Sequence, residues 1–398
     1  MSTLAIHPLI DVNNEHAHLT PIYASSTFTF DNAEQGMRRF SGAEKGYTYS
    51  RFGNPTTAAA EEVISSLEAY GLTETNGQPM QVKSLLHASG QAAMTTMIMA
   101  NVLPGQTVLC DDSVYGGTYE FLNNFISQFG VKTRFINLGD LNLVERILKD
   151  DNTVKLVHIE TPANPTMHCV DIEAICLLCK NYDVVVTVDN TFATPYLQQP
   201  FKYGVDFIYH STTKFLNGHG TSIGGVLTGR NVELMNTRVY KTYKLFGGNS
   251  NPFDAFLLIQ GIKTLTLRMD KHCSNAIAVA EFLEQHETIK KVNYNGLRSH
   301  PDYELSKKQM RLPGAVLSFE LKEGYDKAVK FIDRLNVCTR AVSLGTIDTL
   351  ISHPASMSHS GMTREERLKS GVEDGLIRMS VGLEDIEDLK DDLDQALK

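Results

Sequence analysis

The chain has 398 residues, 42% of them hydrophobic and 21% charged, an ordinary globular composition with enough apolar material for two sizeable cores. Its formal charge is −9 and no basic block stands out, which argues against a nucleic-acid partner, because a phosphate backbone needs a basic footprint. No apolar stretch is long enough to span a bilayer, and residues 1–8 lack the basic start and apolar run of a secretory signal, so no membrane and a cytoplasmic location are expected.

The first fifty residues are rich in turn formers and predict irregular chain. A helix is expected over 56–69, then a polar loop over 71–80. A strand at 84–87 runs into Ser89-Gly90, which opens a helix over 91–100. The series continues with a strand at 107–110, a helix at 119–129, a strand at 133–136, a helix at 141–148 and a strand at 156–159. A helix at 172–180, a strand at 184–188 and a short strand from Phe207 follow. Alternating strands and helices predict an α/β fold, a mostly parallel sheet flanked by helices. Six cysteines are scattered along the chain, the natural pattern of reduced thiols. Cys176 and Cys179 form a CxxC inside the 172–180 helix, but no second cysteine or histidine pair follows at zinc spacing. Core packing explains them, and no metal is expected.

Past Phe253 the texture changes to long helices at 254–268 and 272–286. A strand at 316–321 and helices at 326–335 and 389–396 follow. The expected layout is an N-terminal arm over 1–57, an α/β domain over 58–253 and a smaller α/β domain over 254–398.

The chemistry begins where apolar strands end. Val184-Val185-Val186-Thr187-Val188 runs into Asp189, and in an open parallel sheet the ligand crevice lies at the carboxyl ends of the strands. Alone, Asp189 reads more simply as a turn cap. The strand from Phe207 runs into Ser211-Thr212-Thr213-Lys214, followed by Gly218, Gly220, Gly224 and Gly225. An amine that can form an imine, a carboxylate that keeps a pyridine nitrogen protonated, and donors for a phosphate are together what pyridoxal 5′-phosphate (PLP) needs from a protein. Lys214, Asp189, Ser211 and Thr213 supply that set. The tract is not a Walker A loop, since no Gly-Lys-Ser/Thr ends it. At Ser89-Gly90-Gln91 a helix start would point free N–H groups at a phosphate. Tyr115, in Val114-Tyr115-Gly116-Gly117, could stack on a pyridine ring and transfer protons.

The segment Ser211-Thr212-Thr213-Lys214-Phe215-Leu216-Asn217-Gly218-His219 closely resembles the lysine signature of the Cys/Met-metabolism PLP-dependent enzymes, the γ-family of fold-type I. The likeness extends along the chain. It includes Tyr47-Thr48-Tyr49-Ser50-Arg51-Phe52-Gly53-Asn54-Pro55-Thr56, Glu160-Thr161-Pro162-Ala163-Asn164-Pro165, Val188-Asp189-Asn190-Thr191 and Arg378-Met379-Ser380-Val381-Gly382-Leu383-Glu384. The resemblance implies the fold-type I PLP-dependent transferase fold with Lys214 holding the cofactor. It implies that Asp189 pairs with the pyridine nitrogen, Tyr115 stacks on the ring and Asn164 lies near the cofactor hydroxyl. Ser89, Gly90 and Gln91, helped by Ser211 and Thr213, would hold the phosphate. Tyr49 and Arg51 would reach the cofactor of a neighbouring subunit, which implies a homo-oligomer, a dimer paired into a tetramer. Arg378 would bind the substrate carboxylate, with Ser343 beside the substrate.

Within the family, Val342-Ser343-Leu344-Gly345 and His353-Pro354-Ala355-Ser356-Met357 most resemble methionine γ-lyases, which implies γ-elimination on methionine or homocysteine to a thiol, ammonia and 2-oxobutanoate. Cystathionine γ-lyases tend to carry a glutamate where Val342 stands. Methionine γ-lyases usually carry a reactive cysteine where Gly117 stands, and Phe246-Gly247-Gly248-Asn249-Ser250 also departs from them. Cystathionine γ-lyase, or γ-replacement as in cystathionine γ-synthase and O-acylhomoserine sulfhydrylase, therefore stays open.

Overall fold

The computed structural model describes residues 1–7, 16–358, 360–361, 363–369 and 371–398. One sheet contains β1 (Lys83–His87), β2 (Thr107–Asp111), β3 (Lys132–Ile136), β4 (Val154–Glu160), β5 (Val185–Asp189), β6 (Phe207–Ser211) and β7 (Gly225–Gly229), in the order β1-β7-β6-β5-β4-β2-β3. Strands β2 to β6 run parallel, while β7 is antiparallel to both of its neighbours. Every residue of β2 and β7 is buried, as expected of strands covered on both faces.

Side-chain caps fix where the helices begin. Asn54 accepts from the Thr56 amide and Pro55 occupies the first turn of Pro55–Glu68. The Ser89 hydroxyl accepts from the Ala92 amide at 3.1 Å and starts Gly90–Asn101 against the end of β1. Asp140 and Asp171 do the same for Leu141–Asp150 and Ile172–Lys180.

Several segments differ from expectation. The first fifty residues contain a helix, Ala33–Ser41, capped by Asn32. The helix expected at 119–129 begins earlier, at Gly116, and passes through a π turn at Phe121–Phe125 into a 3-10 turn at Ile126–Phe129. The two long helices are Pro252–Ile262 and Leu265–Glu284, so the break falls at Lys263-Thr264. It is tolerated there because the released Gly261 carbonyl accepts from Arg268 Nη2 at 2.7 Å and from Thr264 Oγ1 at 3.2 Å.

The second sheet has β8 (Ile289–Asn293), β9 (Val316–Leu321), β10 (Thr339–Arg340), β11 (Leu350–Ser352) and β12 (Leu376–Ser380), in the order β10-β11-β12-β9-β8. Its pairs are antiparallel except β10 with β11. Phe319, Ile377 and Met379 pack against Val279, Phe331 and Leu393 from three helices. A different core, with Ile64, Leu258, Ile262, Met269 and Leu344, lies under the turn that follows β6. No described helix is long and apolar enough to cross a membrane, and no group of potential metal ligands occurs among the described residues.

Candidate active site

The carboxyl ends of β4, β5 and β6 open into a cavity of about 520 Å³. The parallel register sets Glu160 beside Asp189 and Asp189 beside Tyr209. The Gly90–Asn101 helix points its first turn into the same space, and the loop 342–344 and Arg378 close it from the second sheet. Ser89, Gly90, Gln91, Tyr115, Asn164, Asp189, Ser211, Thr213, Lys214, Ser343 and Arg378 all line it. Thirteen expected site positions therefore reduce to two outside the cavity, Tyr49 and Arg51. Arg51 Nη1 instead donates to the Lys244 carbonyl at 2.7 Å, and its guanidinium lies 4.6 Å from the Phe52 ring centroid.

Lys214 sits on the turn after β6, with Nζ 2.8 Å from Ser343 Oγ. Burial, and after it the nearby Arg378 charge, pushes its amine down to about 8. About a tenth is thus an uncharged nucleophile at pH 7, far more than for an ordinary lysine. Arg378 Nη2 donates to the carbonyls of Val342 at 2.8 Å and Ser343 at 2.9 Å. It meets no carboxylate among the described residues, so this cavity-lining guanidinium is ready for a carboxylate ligand.

Asp189 is fixed by Thr191, whose amide donates to Oδ1 at 2.9 Å. The Thr191 hydroxyl also donates to Asp189 and accepts from the Ser211 amide at 2.9 Å, which ties β5 to the lysine turn. Burial pushes the Asp189 carboxyl up, and the Thr191 hydrogen bonds oppose that. Next to it, burial and then the Asp189 charge push Glu160 up to about 8. Two neighbouring buried carboxyls of this kind are relieved by a cation between or beside them.

Glu160, Thr191 and Tyr209 were not singled out by their sequence context, and their roles are tertiary. Glu160 Oε2 accepts from the Tyr115 amide at 2.7 Å and Oε1 from the Asn164 amide at 3.4 Å, so one carboxylate anchors two cavity loops. The only local signal was the position of Glu160 at a strand end, directly before Thr161-Pro162.

The donor set fits PLP. A Cβ on Gly90 would come within 2.8 Å of the Ser211 Cβ, so the helix start is pressed against the end of β6 and its N–H groups face the cavity. The buried Asn164 amide oxygen has no hydrogen-bond partner among the described residues. An amine, a carboxylate, an aromatic ring, an orphaned amide and a helix start with two hydroxyls match an aldehyde, a pyridine nitrogen, a ring face, a ring hydroxyl and a phosphate.

The model of the Cys/Met metabolism PLP-dependent enzymes matches residues 2–398. The chain belongs to that family. This PLP enzyme is 45% identical to the L-methionine gamma-lyase of Treponema denticola, over 97% of this chain and 94% of the relative. It is 43% identical to the L-methionine gamma-lyase of Porphyromonas gingivalis, over 100% of this chain and 96% of the relative. Among solved structures, cystathionine gamma synthase from Xanthomonas oryzae pv. oryzae, in complex with aminoacrylate and cysteine, superposes with a TM-score of 0.89. That match is 35% identical and covers 100% of this chain and 97% of the other. The fold is the fold-type I PLP-enzyme fold, and the cofactor is PLP.

Proposed function

We propose that the enzyme is a carbon–sulfur lyase of the methionine γ-lyase type. It would take a sulfur amino acid such as L-methionine or homocysteine and water to ammonia, 2-oxobutanoate and a thiol, or hydrogen sulfide in the case of homocysteine. The observation that carries this reading is a lowered-pKa lysine, a carboxylate and a carboxylate-free arginine around one cavity, with apolar Val342 at its mouth. Val342 is 61% exposed and offers no charge to a distal ammonium group, which favours a short thioether over cystathionine. The names of the relatives at 45% and 43% identity support the same substrate class.

When bound, PLP supplies an electron sink that makes the substrate α- and β-protons removable. The residues of the chain do the rest. Lys214, Asp189, Tyr115, Asn164 and the Gly90 helix start, with Ser89, Gln91, Ser211 and Thr213, would hold the cofactor. Asp189 would hold a proton on the ring nitrogen through charge pairing. Arg378 orients the substrate by its carboxylate, beside Ser343. Lys214 Nζ, 2.8 Å from Ser343 Oγ, takes and returns protons on the reacting face. The Tyr115 hydroxyl delivers a proton to the departing thiolate.

The likeness to a solved cystathionine gamma synthase, together with Gly117 beside Tyr115, favours a second reading in which a thiol replaces the γ-substituent of an acylated homoserine. The test is oxo-acid release from methionine, homocysteine and cystathionine, set against thiol addition to acylhomoserine. Methionine or homocysteine is expected to release oxo acid fastest; turnover of the acyl ester alone would sink the lyase reading. Borohydride trapping and peptide mapping should label Lys214. A cytoplasmic location suits the six buried free thiols. A tetramer built from dimers would bring Tyr49 and Arg51 of one subunit to the cavity of another.

A further inference from the structure

Among the buried polar side chains of the helix Leu265–Glu284, Arg268, His272 and Asn275 recur at a spacing that places them on one face. None of them lines the cavity, and each donates to backbone carbonyls. Arg268 Nη1 donates to the Phe215 carbonyl at 2.8 Å, and Nη2 to Gly261 at 2.7 Å and Leu216 at 3.5 Å. Phe215 and Leu216 directly follow Lys214. The approach is so close that a Cβ on Gly218, whose φ is +75°, would lie 2.1 Å from the guanidinium. The Nε of Arg268 is held by Thr264 Oγ1 at 3.0 Å, so the whole fork is fixed. Burial pushes this guanidinium down to about 10, and its compensation comes from carbonyl dipoles.

One turn further on, His272 Nδ1 donates to the Val381 carbonyl at 2.7 Å, and its ring meets Phe215 edge-on at 5.4 Å. Asn275 Nδ2 donates to the carbonyls of Gly382 at 3.1 Å and Glu384 at 2.9 Å. These carbonyls belong to the chain that leaves β12 just after Arg378. A single rigid helix face, about 10 Å long from 268 to 275, therefore grips the lysine turn at one end and the arginine strand at the other.

We propose that Arg268, His272 and Asn275 are positioning residues that set the Lys214 turn and the Arg378 strand end at a fixed separation, so that an amino acid anchored by its carboxylate meets the lysine amine. This rests on the reading of Lys214 as the cofactor lysine and Arg378 as the carboxylate anchor. A helix serves this purpose because its length cannot adjust to side-chain strain. The arrangement predicts that the two ends act on different kinetic constants.

The test uses the holoenzyme with Arg268→Lys and His272→Phe. Lysine keeps the charge but cannot grip three carbonyls at once. It should lower kcat about tenfold, the effect of one lost buried hydrogen bond, and leave KM within about twofold. The phenylalanine keeps the ring against Phe215 and removes the donor to Val381. It should raise KM, and the dissociation constant of an unreactive amino-acid analogue measured by calorimetry, about tenfold with kcat nearly unchanged. Hydrogen exchange should quicken at 214–218 in the first variant and at 378–384 in the second. His272→Gln, which can still donate, should restore the KM. If either variant fails to fold, Arg268→Gln or Asn275→Ser carries the same test at its end of the helix. Equal loss of kcat and KM performance in both variants, in step with a lower melting temperature, would reduce the stripe to core structure. An unlabelled Lys214 in borohydride-treated wild-type enzyme would instead remove the reading beneath it.

Discussion

Lys214 shows how one side chain becomes reactive without leaving its ordinary chemistry. Its amine falls from 10.5 to about 8 because burial disfavours the ammonium form and Arg378 adds a like charge. The folded state therefore binds fewer protons than the unfolded chain between about 8 and 10.5. The destabilising effect of the buried ammonium is complete below that window and gone above it, so apoprotein stability rises with pH across it. A limiting dose of acetic anhydride given to the apoprotein should label Lys214 half-maximally near pH 8. Arg378→Met removes the smaller of the two causes and should move that midpoint upward. A wild-type midpoint near that of surface lysines would contradict the buried, cation-flanked environment.

Among the elements, the start of Gly90–Asn101 carries the most chemical weight. Ser89 caps it, Gly90 lets it touch β6, and the free N–H groups of its first turn face the cavity. Gly90→Ala would force a Cβ to within 2.8 Å of Ser211 and push the helix start away from the strand end. An absorbance titration of the apoprotein should then show PLP affinity about tenfold weaker, equivalent to about 1.4 kcal/mol. Unchanged affinity would mean that the phosphate is held elsewhere. The element itself was legible in the sequence, as were β1 to β6: helices announce their caps, and β2, β4, β5 and β6 are buried parallel strands rich in apolar residues. Strand β7 was not, because Gly225 and Gly229 bracket it and glycines read as turns. Gly225 is there for a contact no local pattern reveals, since a Cβ would meet the Ser89 carbonyl oxygen at 2.1 Å. Strands β8, β10 and β11 were hidden by two lysines and by lengths of two and three residues, too short for a period to show. Lys214, Asp189 and Arg378 stood out as chemistry at strand ends and in motifs. Glu160 did not, because the Tyr115 amide it holds lies 45 residues away in sequence.

At the scale of the whole molecule, the open side of the cavity is where a partner subunit would act in the proposed dimer. The cavity is lined by exposed Tyr115, Ile223 and Val342, while Tyr49 and Arg51 do not line the cavity of their own chain. A two-fold dimer would give each site the arm of its partner, with Lys214 and Arg51 of every site drawn from different subunits. That arrangement has a quantitative consequence. Arg51→Ala and Lys214→Ala chains should each be nearly inactive alone. After the two are mixed, dissociated and reassembled, half of the dimers pair one chain of each kind. In such a hybrid the Arg51→Ala chain supplies its intact Lys214 and receives an intact Arg51, while the other site lacks both. Random pairing thus restores about one quarter of the wild-type sites. Recovery near that fraction, with the hybrid verified by mass, fits shared sites. No recovery from a verified hybrid would mean that each chain completes its own site, and Arg51 would then act only within the Phe52 and Lys244 contacts it makes here.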